Sequence, residues 1–408
     1  MKRIGIITVL VLMIALGLAL LLPSPTVSRN APRYVAGRAQ PVGNYTTTHY
    51  DWIDRRPFVD DKVWIWGRRN ATNSNHCLYD LQERMILGEL HNGGVELVNG
   101  DGTKLLIAGF GSQVANLKEK LLDLLERISG GKFKPNFNRT ESFWVLNLKD
   151  NSSKRLGSVS QHAGSGSRWY TSPALRYGCT SPTTENDSAF VLFDFENDNL
   201  TRIAVSGRIR GWWDEQNIVL QSANRDFVLY DVVKQQATVL FSAESFRQTL
   251  AQLNVPSVPS GGVEAFANWN GVAYDFYFTE KENGYELRGS PSFLLKADRT
   301  SPTPTLKLIN PEFQFEWGGH LNAEATHYLY QGESGVPGNG GNGAVYLRDL
   351  SNDTTRTLVT PDNKGQYSIP RFYRDEVIYY RNRVLWRIGL DGSNNVPLFM
   401  PPNFHANP

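Results

Sequence analysis

The chain has 408 residues, and its 42 Lys and Arg nearly cancel its 40 Asp and Glu. With Lys2 and Arg3 set aside the remainder is about neutral, which excludes the basic footprint of a nucleic-acid-binding protein. Aromatic residues make up 12% of the chain and fall mainly in short runs of strand formers, so the composition points to pleated sheets.

Residues 4–22 form an unbroken apolar run behind Met1-Lys2-Arg3. At about 1.5 Å per helical residue the run spans close to the ~30 Å hydrocarbon core. Pro23-Ser24-Pro25 follows it, and the best cleavage candidate, Thr26-Val27-Ser28, is a poor one. The expectation is a signal-anchor, a transmembrane helix over residues 1–22, with secretion after signal cleavage as the alternative. In either case the positive N-terminus stays inside and the rest of the chain is periplasmic or extracellular. No Cys follows the run, so a lipid-modified Cys is excluded. Residues 23–49 are rich in Pro, Thr, Arg and Asn, lack an apolar period and read as a linker.

Beyond the linker one two-strand phrase recurs seven times, at residues 76–90, 143–159, 190–205, 227–242, 292–310, 345–360 and 384–399. Each copy is a run of strand formers that ends in a polar residue and one more apolar residue. A polar turn follows, then a second apolar run. A hairpin repeated at roughly 37–70 residue intervals marks a β-propeller, whose repeat is one four-stranded blade. Inner strands are predicted at 62–66, at 95–98 and 104–110, near 168–170, at 208–213 and 217–221, at 264–269 and 272–278, at 313–317 and 326–330, and at 368–373 and 376–380. The predicted fold is all-β, a seven-bladed propeller of four-stranded blades over residues 50–400, followed by a tail at 401–408.

Three insertions interrupt this pattern. Val114, Leu117, Leu121, Leu124, Leu125 and Ile128 fall at three- and four-residue steps, with Ser112 to cap the start and Gly130-Gly131 to end the element. They predict a helical insertion at 112–129, either packed on the ring or serving as a docking element. A weaker helix is predicted at 243–253. Residues 332–343 are a Gly-rich loop that lacks the Lys-Ser/Thr of a nucleotide-phosphate loop.

An aromatic or apolar residue, a short polar turn and then an apolar strand recur as Val98-Asn99-Gly100-Asp101-Gly102-Thr103-Lys104-Leu105-Leu106-Ile107. The same phrase is read in Trp213-Asp214-Glu215-Gln216-Asn217-Ile218-Val219-Leu220 and in Tyr373-Arg374-Asp375-Glu376-Val377-Ile378-Tyr379-Tyr380. Together with the closing hairpin from Val384 to Ser393, this resembles the repeat of TolB-type propellers, at blade level over most of residues 50–400. The turn at Asn99-Gly100-Asp101-Gly102-Thr103 is nearest the family's Ser-Pro-Asp-Gly turn, and it lacks the Pro. The resemblance implies an exported propeller that binds other proteins or envelope components. It supplies no catalytic residue.

The residues themselves carry no catalytic constellation. No Gly-x-Ser-x-Gly elbow occurs, and Ser165 and Ser167 near His162 lie in a Gly-rich connection. His320 and His327 match no common zinc spacing, and Asn99, Asp101 and Thr103 lack the further ligands of a calcium loop. Neither a metal nor another cofactor is therefore expected. The carboxylates Asp214, Glu215, Glu264, Asp275 and Glu316 lie on or beside inner strands, and sequence alone does not pair them. Cys77 and Cys179 fall in non-adjacent blades and read as small buried residues. Seven Asn-x-Ser/Thr sequons start at Asn44, Asn70, Asn138, Asn151, Asn186, Asn199 and Asn352.

Arg168, Trp169, Tyr170, Arg208, Arg210, Trp212, Trp213, Trp269, Trp317, Arg371 and Tyr373 recur at equivalent inner-strand positions. Two roles suit them: wedges between blades, or a channel-mouth surface where Trp, Tyr and Arg anchor a partner. The leading expectation is a non-catalytic extracytoplasmic scaffold that binds another envelope or surface protein. The alternatives are a carbohydrate-binding or carbohydrate-cleaving propeller with a glycan ligand, and a structural protein that self-associates.

Overall fold

Seven antiparallel sheets follow one another in the computed structural model, which describes residues 31–41, 46–47, 59–68, 74–109, 138–162, 169–180, 189–252, 264–267, 272–276, 292–298, 305–308, 317–322, 326–333, 341–360, 370–381 and 384–399. The first sheet comprises Arg33–Pro41 (β1), Thr46–Thr47 (β2), Lys62–Arg68 (β3), Ser74–Asp80 (β4) and Met85–His91 (β5). The second comprises Gly94–Val98 (β6), Lys104–Gly109 (β7), Asn138–Asn147 (β8) and Ser152–His162 (β9). The third comprises Trp169–Thr171 (β10), Tyr177–Thr180 (β11), Phe190–Asp194 (β12) and Asn199–Ile203 (β13). The fourth comprises Arg208–Trp212 (β14), Asn217–Gln221 (β15), Phe227–Asp231 (β16) and Gln236–Phe241 (β17). Helix Ala243–Gln252 (α1) leads to the fifth sheet, Glu264–Ala267 (β18), Val272–Phe276 (β19), Ser292–Asp298 (β20) and Thr305–Leu308 (β21). The sixth comprises Trp317–Leu321 (β22), His327–Glu333 (β23), Gly341–Asp349 (β24) and Thr354–Val359 (β25). The last comprises Arg371–Tyr373 (β26), Glu376–Arg381 (β27), Val384–Gly389 (β28) and Val396–Phe399 (β29).

This corrects the predicted seven four-stranded blades. Among the described residues four-stranded blades number six, each with its strands in sequence order, while the first sheet has five strands in the order β1-β5-β4-β3-β2. Two of the five, β1 and β2, lie in the stretch read as linker. β1 carries few strand formers and joins β5 through backbone pairing, so its sequence shows no apolar alternation. A single helix, α1, stands among the described residues, close to the weaker of the two predicted helices. No helix among the described residues is long and apolar enough to cross a membrane. Both the helical insertion predicted at 112–129 and the apolar run 4–22 lie outside the described residues.

The recurring hairpin phrase follows from its turn chemistry. The polar residue that ends each third strand accepts the backbone N–H groups of the turn, as Asx residues do. Asp80 Oδ1 accepts from Gln82 and Glu83 N–H at 2.9 Å each. Asp231 Oδ1 accepts from Val233 at 2.9 Å and Lys234 at 2.8 Å, and Asp349 Oδ1 from Ser351 at 2.8 Å. Asn147 and Asp194 repeat the bond with Lys149 and Glu196, both at 2.9 Å. Four residues past each of these, Arg84, Asn151, Asp198, Gln235 and Asp353 sit at φ between +45° and +56°, the left-handed step that closes the turn.

The extra apolar residue has its own role. Its N–H donates to a carbonyl in the turn between the sheet's earlier strands: Leu81 to Asp61 at 2.7 Å, Leu148 to Thr103 at 2.8 Å, Phe195 to Arg176 at 3.0 Å, Val232 to Gln216 at 2.9 Å and Leu350 to Thr326 at 2.8 Å. Leu81, Phe195 and Val232 are also buried by their side chains. One residue thus ties two turns together and fills the space between sheets.

The core lies between neighbouring sheets. Leu97, Phe143 and Val145 of the second sheet meet Trp169, Val191 and Phe193 of the third. Tyr177, Cys179 and Phe190 of the third meet Ile209, Trp212 and Ile218 of the fourth. The seventh sheet packs on the first through Tyr373, Ile378, Leu385 and Leu398 against Val63, Ile65, Cys77 and Tyr79. Among the described residues no strand is exchanged across this seam, since each sheet is built from one stretch of chain. The seam is instead tied by side chains. Tyr79 Oη donates to Leu398 O at 2.7 Å across 319 residues, Tyr373 Oη donates to Asp61 Oδ1, and Arg374 Nη2 lies 2.7 Å from Asp61 Oδ1.

Candidate functional site

The first strands of the second to fifth sheets meet one another, β6 with β10, β10 with β14 and β14 with β18, as the innermost strands of propeller blades do. Their first residues therefore come to one end of the central channel. Trp169, Arg208, Glu264, Trp317 and Arg371 occupy this position in the third to seventh sheets. This channel mouth is the candidate site.

The fourth sheet shows how the rim is built. The pairing of β14 with β15 shifts between Ile209 and Gly211, a β-bulge, and Gly211 takes a φ of +146° that other residues rarely adopt. The bulge puts Ile209 and Trp212, three residues apart, into the same core cluster against the third sheet. It also turns Arg210 into a buried position, where Nε donates to Gln221 Oε1 at 3.0 Å and Nη2 donates to the same oxygen. A guanidinium stays charged in any such environment. Arg210 thus holds a fixed positive charge in the innermost strand, two residues from exposed Arg208.

The two aromatic candidates on these strands are wedges. Trp169 is buried and meets Phe143 of the second sheet edge-on, with ring centroids 5.5 Å apart. Trp212 is 1% exposed, stacks on Tyr177 at 5.8 Å and donates from Nε1 to Tyr170 O at 2.9 Å. Tyr170 is half-buried against the same cluster. Of the rim candidates, Arg208 reaches solvent and Arg371 is half-buried at the start of β26. Trp317 opens β22, while Arg168 and Trp269 lie outside the described residues. Tyr170, Arg208, Arg210 and Trp212 thus lie on two adjacent innermost strands, joined by the bond from Trp212 to Tyr170.

Of the polar groups weighed for chemistry, Glu264 opens β18 and Asp275 lies in β19, while Asp101, Asp214 and Glu215 are held in turns. Glu215 accepts Ser172 Oγ and Ala174 N–H, both at 2.7 Å, and so ties the fourth sheet to the third. Asp214 Oδ1 accepts from Gln216 and Asn217 N–H at 2.8 Å each. Asp101 Oδ1 accepts Thr103 Oγ1 at 2.6 Å, Asn99 Nδ2 at 2.7 Å and Thr103 N–H at 3.0 Å, which makes residues 99–103 a closed turn. These bonds, led by the Thr103 hydroxyl, hold the Asp101 carboxyl below its usual range. Among the described residues no three His, Cys, Asp or Glu come together in a way that would hold a metal ion. Cys77 and Cys179 are free and buried, and burial pushes the Cys179 thiol well up.

Two residues of the scaffold escaped sequence reasoning. Gln221 lies eleven residues from Arg210 and meets it across the β14–β15 pair. Asp61 meets Tyr373 across 312 residues. Neither partnership leaves a mark in local sequence.

Comparison with solved structures fixes the architecture. An uncharacterized protein of Listeria monocytogenes EGD-e matches with a TM-score of 0.51 at 9% identity, over 90% of this chain and 100% of that one. The β-propeller domain of the Trilobed protease of Pyrococcus furiosus, described as having an open velcro topology, matches with a TM-score of 0.51 at 12% identity, over 86% of this chain and 98% of that one. The chain is a β-propeller protein. At these identities the likeness is one of fold. TolB of Acinetobacter baumannii matches with a TM-score of only 0.35 at 12% identity, over 79% of this chain and 76% of that one, too distant to carry an argument. No family model matches the chain. No curated protein matches it.

Proposed function

We propose that this propeller is a non-catalytic, extracytoplasmic scaffold of TolB-like type that binds an acidic segment of another envelope or surface protein at its channel mouth. The observation that carries the reading is the pairing of exposed Arg208 with buried, permanently charged Arg210 on the innermost strand of the fourth sheet. Charge placed in a low-dielectric wall beside an opening focuses the field there and favours an anionic partner. Met1-Lys2-Arg3 and the apolar run 4–22 support export. The proposed partner is a protein, with a glycan as the competing ligand.

The test is crosslinking and capture from the native envelope with wild type and with Arg208→Glu. The expected result is a protein captured by wild type, lost with Arg208→Glu and weakened by added salt. Equal capture by both forms, or a glycan-array signal that Arg208→Glu leaves intact, would count against this reading. Protease accessibility of the propeller in intact cells tests its location.

A further inference from the structure

The outer rim of the propeller is a ring of strand edges. An edge strand presents a row of backbone N–H and C=O groups to any other strand, and proteins blunt it with charge, proline or a cover. Six of the seven sheets here do so. β1, the outermost strand of the first, carries Arg33 and Pro41. β9 carries Lys154 and Arg155, β13 carries Arg202 and β25 carries Arg356, all exposed. Lys307 stands in β21 and Pro397 in β29.

Among the described residues the fourth sheet is the least protected. Its outer strand β17 reads Gln236-Ala237-Thr238-Val239-Leu240-Phe241, with neither a charge nor a proline, and residues 236–239 are exposed. Val239 is 64% exposed, and Val233 in the preceding turn is 58% exposed. Helix α1 guards only the far end of the strand, where Phe246 packs beside Phe241 with ring centroids 6.1 Å apart.

We propose that β17 is the edge through which two copies of this chain pair, antiparallel about a two-fold axis, joining their fourth sheets into one continuous sheet. Homotypic antiparallel pairing sets each strand against its own reversed sequence, so a residue near the middle of the edge comes close to its own copy. Arg202 and Arg356 stand next to the middle of β13 and β25, where pairing would bring two arginines within two residues of each other, which is unfavourable. At β17 no charge is opposed. The ends of the strand are complementary as well. Lys234, bridged to Asp231, precedes it with 71% of its side chain exposed, and Glu244, bridged to Arg247, follows it with 65% exposed. The antiparallel arrangement carries Lys234 of one copy toward Glu244 of the other and covers Val239. A six-residue edge is only about 20 Å long, well short of what permanent dimers bury, so the dimer is weak and forms with rising concentration. The edge lies on the rim, away from the channel mouth, and the pairing leaves that mouth open.

The test is sedimentation of the full chain over a concentration series, with hydrogen exchange at its two ends. The expected result is a monomer–dimer equilibrium in which the amides of residues 236–239 exchange more slowly at high concentration. Val239→Lys, at an exposed position, is expected to keep the wild-type circular dichroism and weaken the dimer at least ~10-fold. Thr238→Lys should act likewise, and Arg202→Ala should leave the equilibrium unchanged. A strict monomer would overturn the proposal. So would a dimer indifferent to both lysine variants, or protection of residues 236–239 that arises only when a synthetic strand-forming peptide is added.

Discussion

Replacing Tyr79 by Phe removes one oxygen atom from the seam where the seventh sheet meets the first. Tyr79 is fully buried, and its hydroxyl donates to Leu398 O at 2.7 Å. The variant keeps the ring and its packing but leaves a buried carbonyl without that donor, which costs about 1–3 kcal/mol. Tyr373→Phe at the same seam should cost less, about 0.5–1.5 kcal/mol. Its acceptor Asp61 keeps 25% of its side chain exposed and retains Arg374 at 2.7 Å, so water and a cation compensate. Trp212→Phe, which loses the bond to Tyr170 O between the third and fourth sheets, serves as a comparison inside the ring. Denaturant unfolding measures the global cost, and hydrogen exchange locates it. Tyr79→Phe should speed exchange in β3, β4 and β28, and Trp212→Phe in β10, β11 and β14. Should Tyr79→Phe be as stable as wild type, or should its faster exchange fall on the third and fourth sheets, the seam would not be closed as argued.

Other consequences are open to direct measurement. Gly100 is exposed, yet a Cβ there would lie 2.7 Å from the backbone oxygen of Ala174 in the next sheet, so Gly100→Ala should destabilise by about 1–3 kcal/mol. An unchanged melting temperature would show that the two turns move apart freely. The turn aspartates predict acid sensitivity. The Ser351 hydroxyl and N–H hold Asp349 at about 2, and the same kind of bond, from the Lys234 N–H and from the hydroxyls of Ser152 and Ser393, lowers Asp231, Asp150 and Asp391. Because the folded values are depressed, their contribution is full above the ordinary carboxylate range near ~3.9 and is lost as pH falls through the folded values. The denaturation midpoint should therefore drop below about pH 4, less steeply in Asp349→Asn. A midpoint flat across that window in wild type would contradict the turn geometry.

What the sequence disclosed and what it hid divide along one physical line. The hairpin phrase was legible because its causes are local: Asp231 caps its own turn, and Val232 reaches only as far as Gln216. β1 was hidden because it pairs by backbone with β5, some fifty residues on, and needs no apolar pattern to do so. The inner-strand residues were legible as a class but not as individuals. Trp169 and Trp212 face neighbouring sheets, whereas Arg208 faces solvent, and the bulge at Arg210 that sorts them leaves only a glycine in the sequence. Gln221 and Asp61 carry no local sign of their partners, because one contact arises only when β14 pairs with β15 and the other only when the seventh sheet packs on the first.

The unshared strands of the first and seventh sheets set an order of events. The first sheet is complete once residue 91 has emerged, but the face carrying Val63, Ile65 and Cys77 finds its cover only when residues 373–398 arrive. In the finished ring the Cys77 sulfur is sealed at 0% exposure, so faster alkylation is expected in chains that lack the last sheet. Labelling of this thiol is thus a readout for completion of the ring. The fraction of chains that can be labelled at Cys77 during synthesis or refolding counts the propellers still waiting for their last sheet.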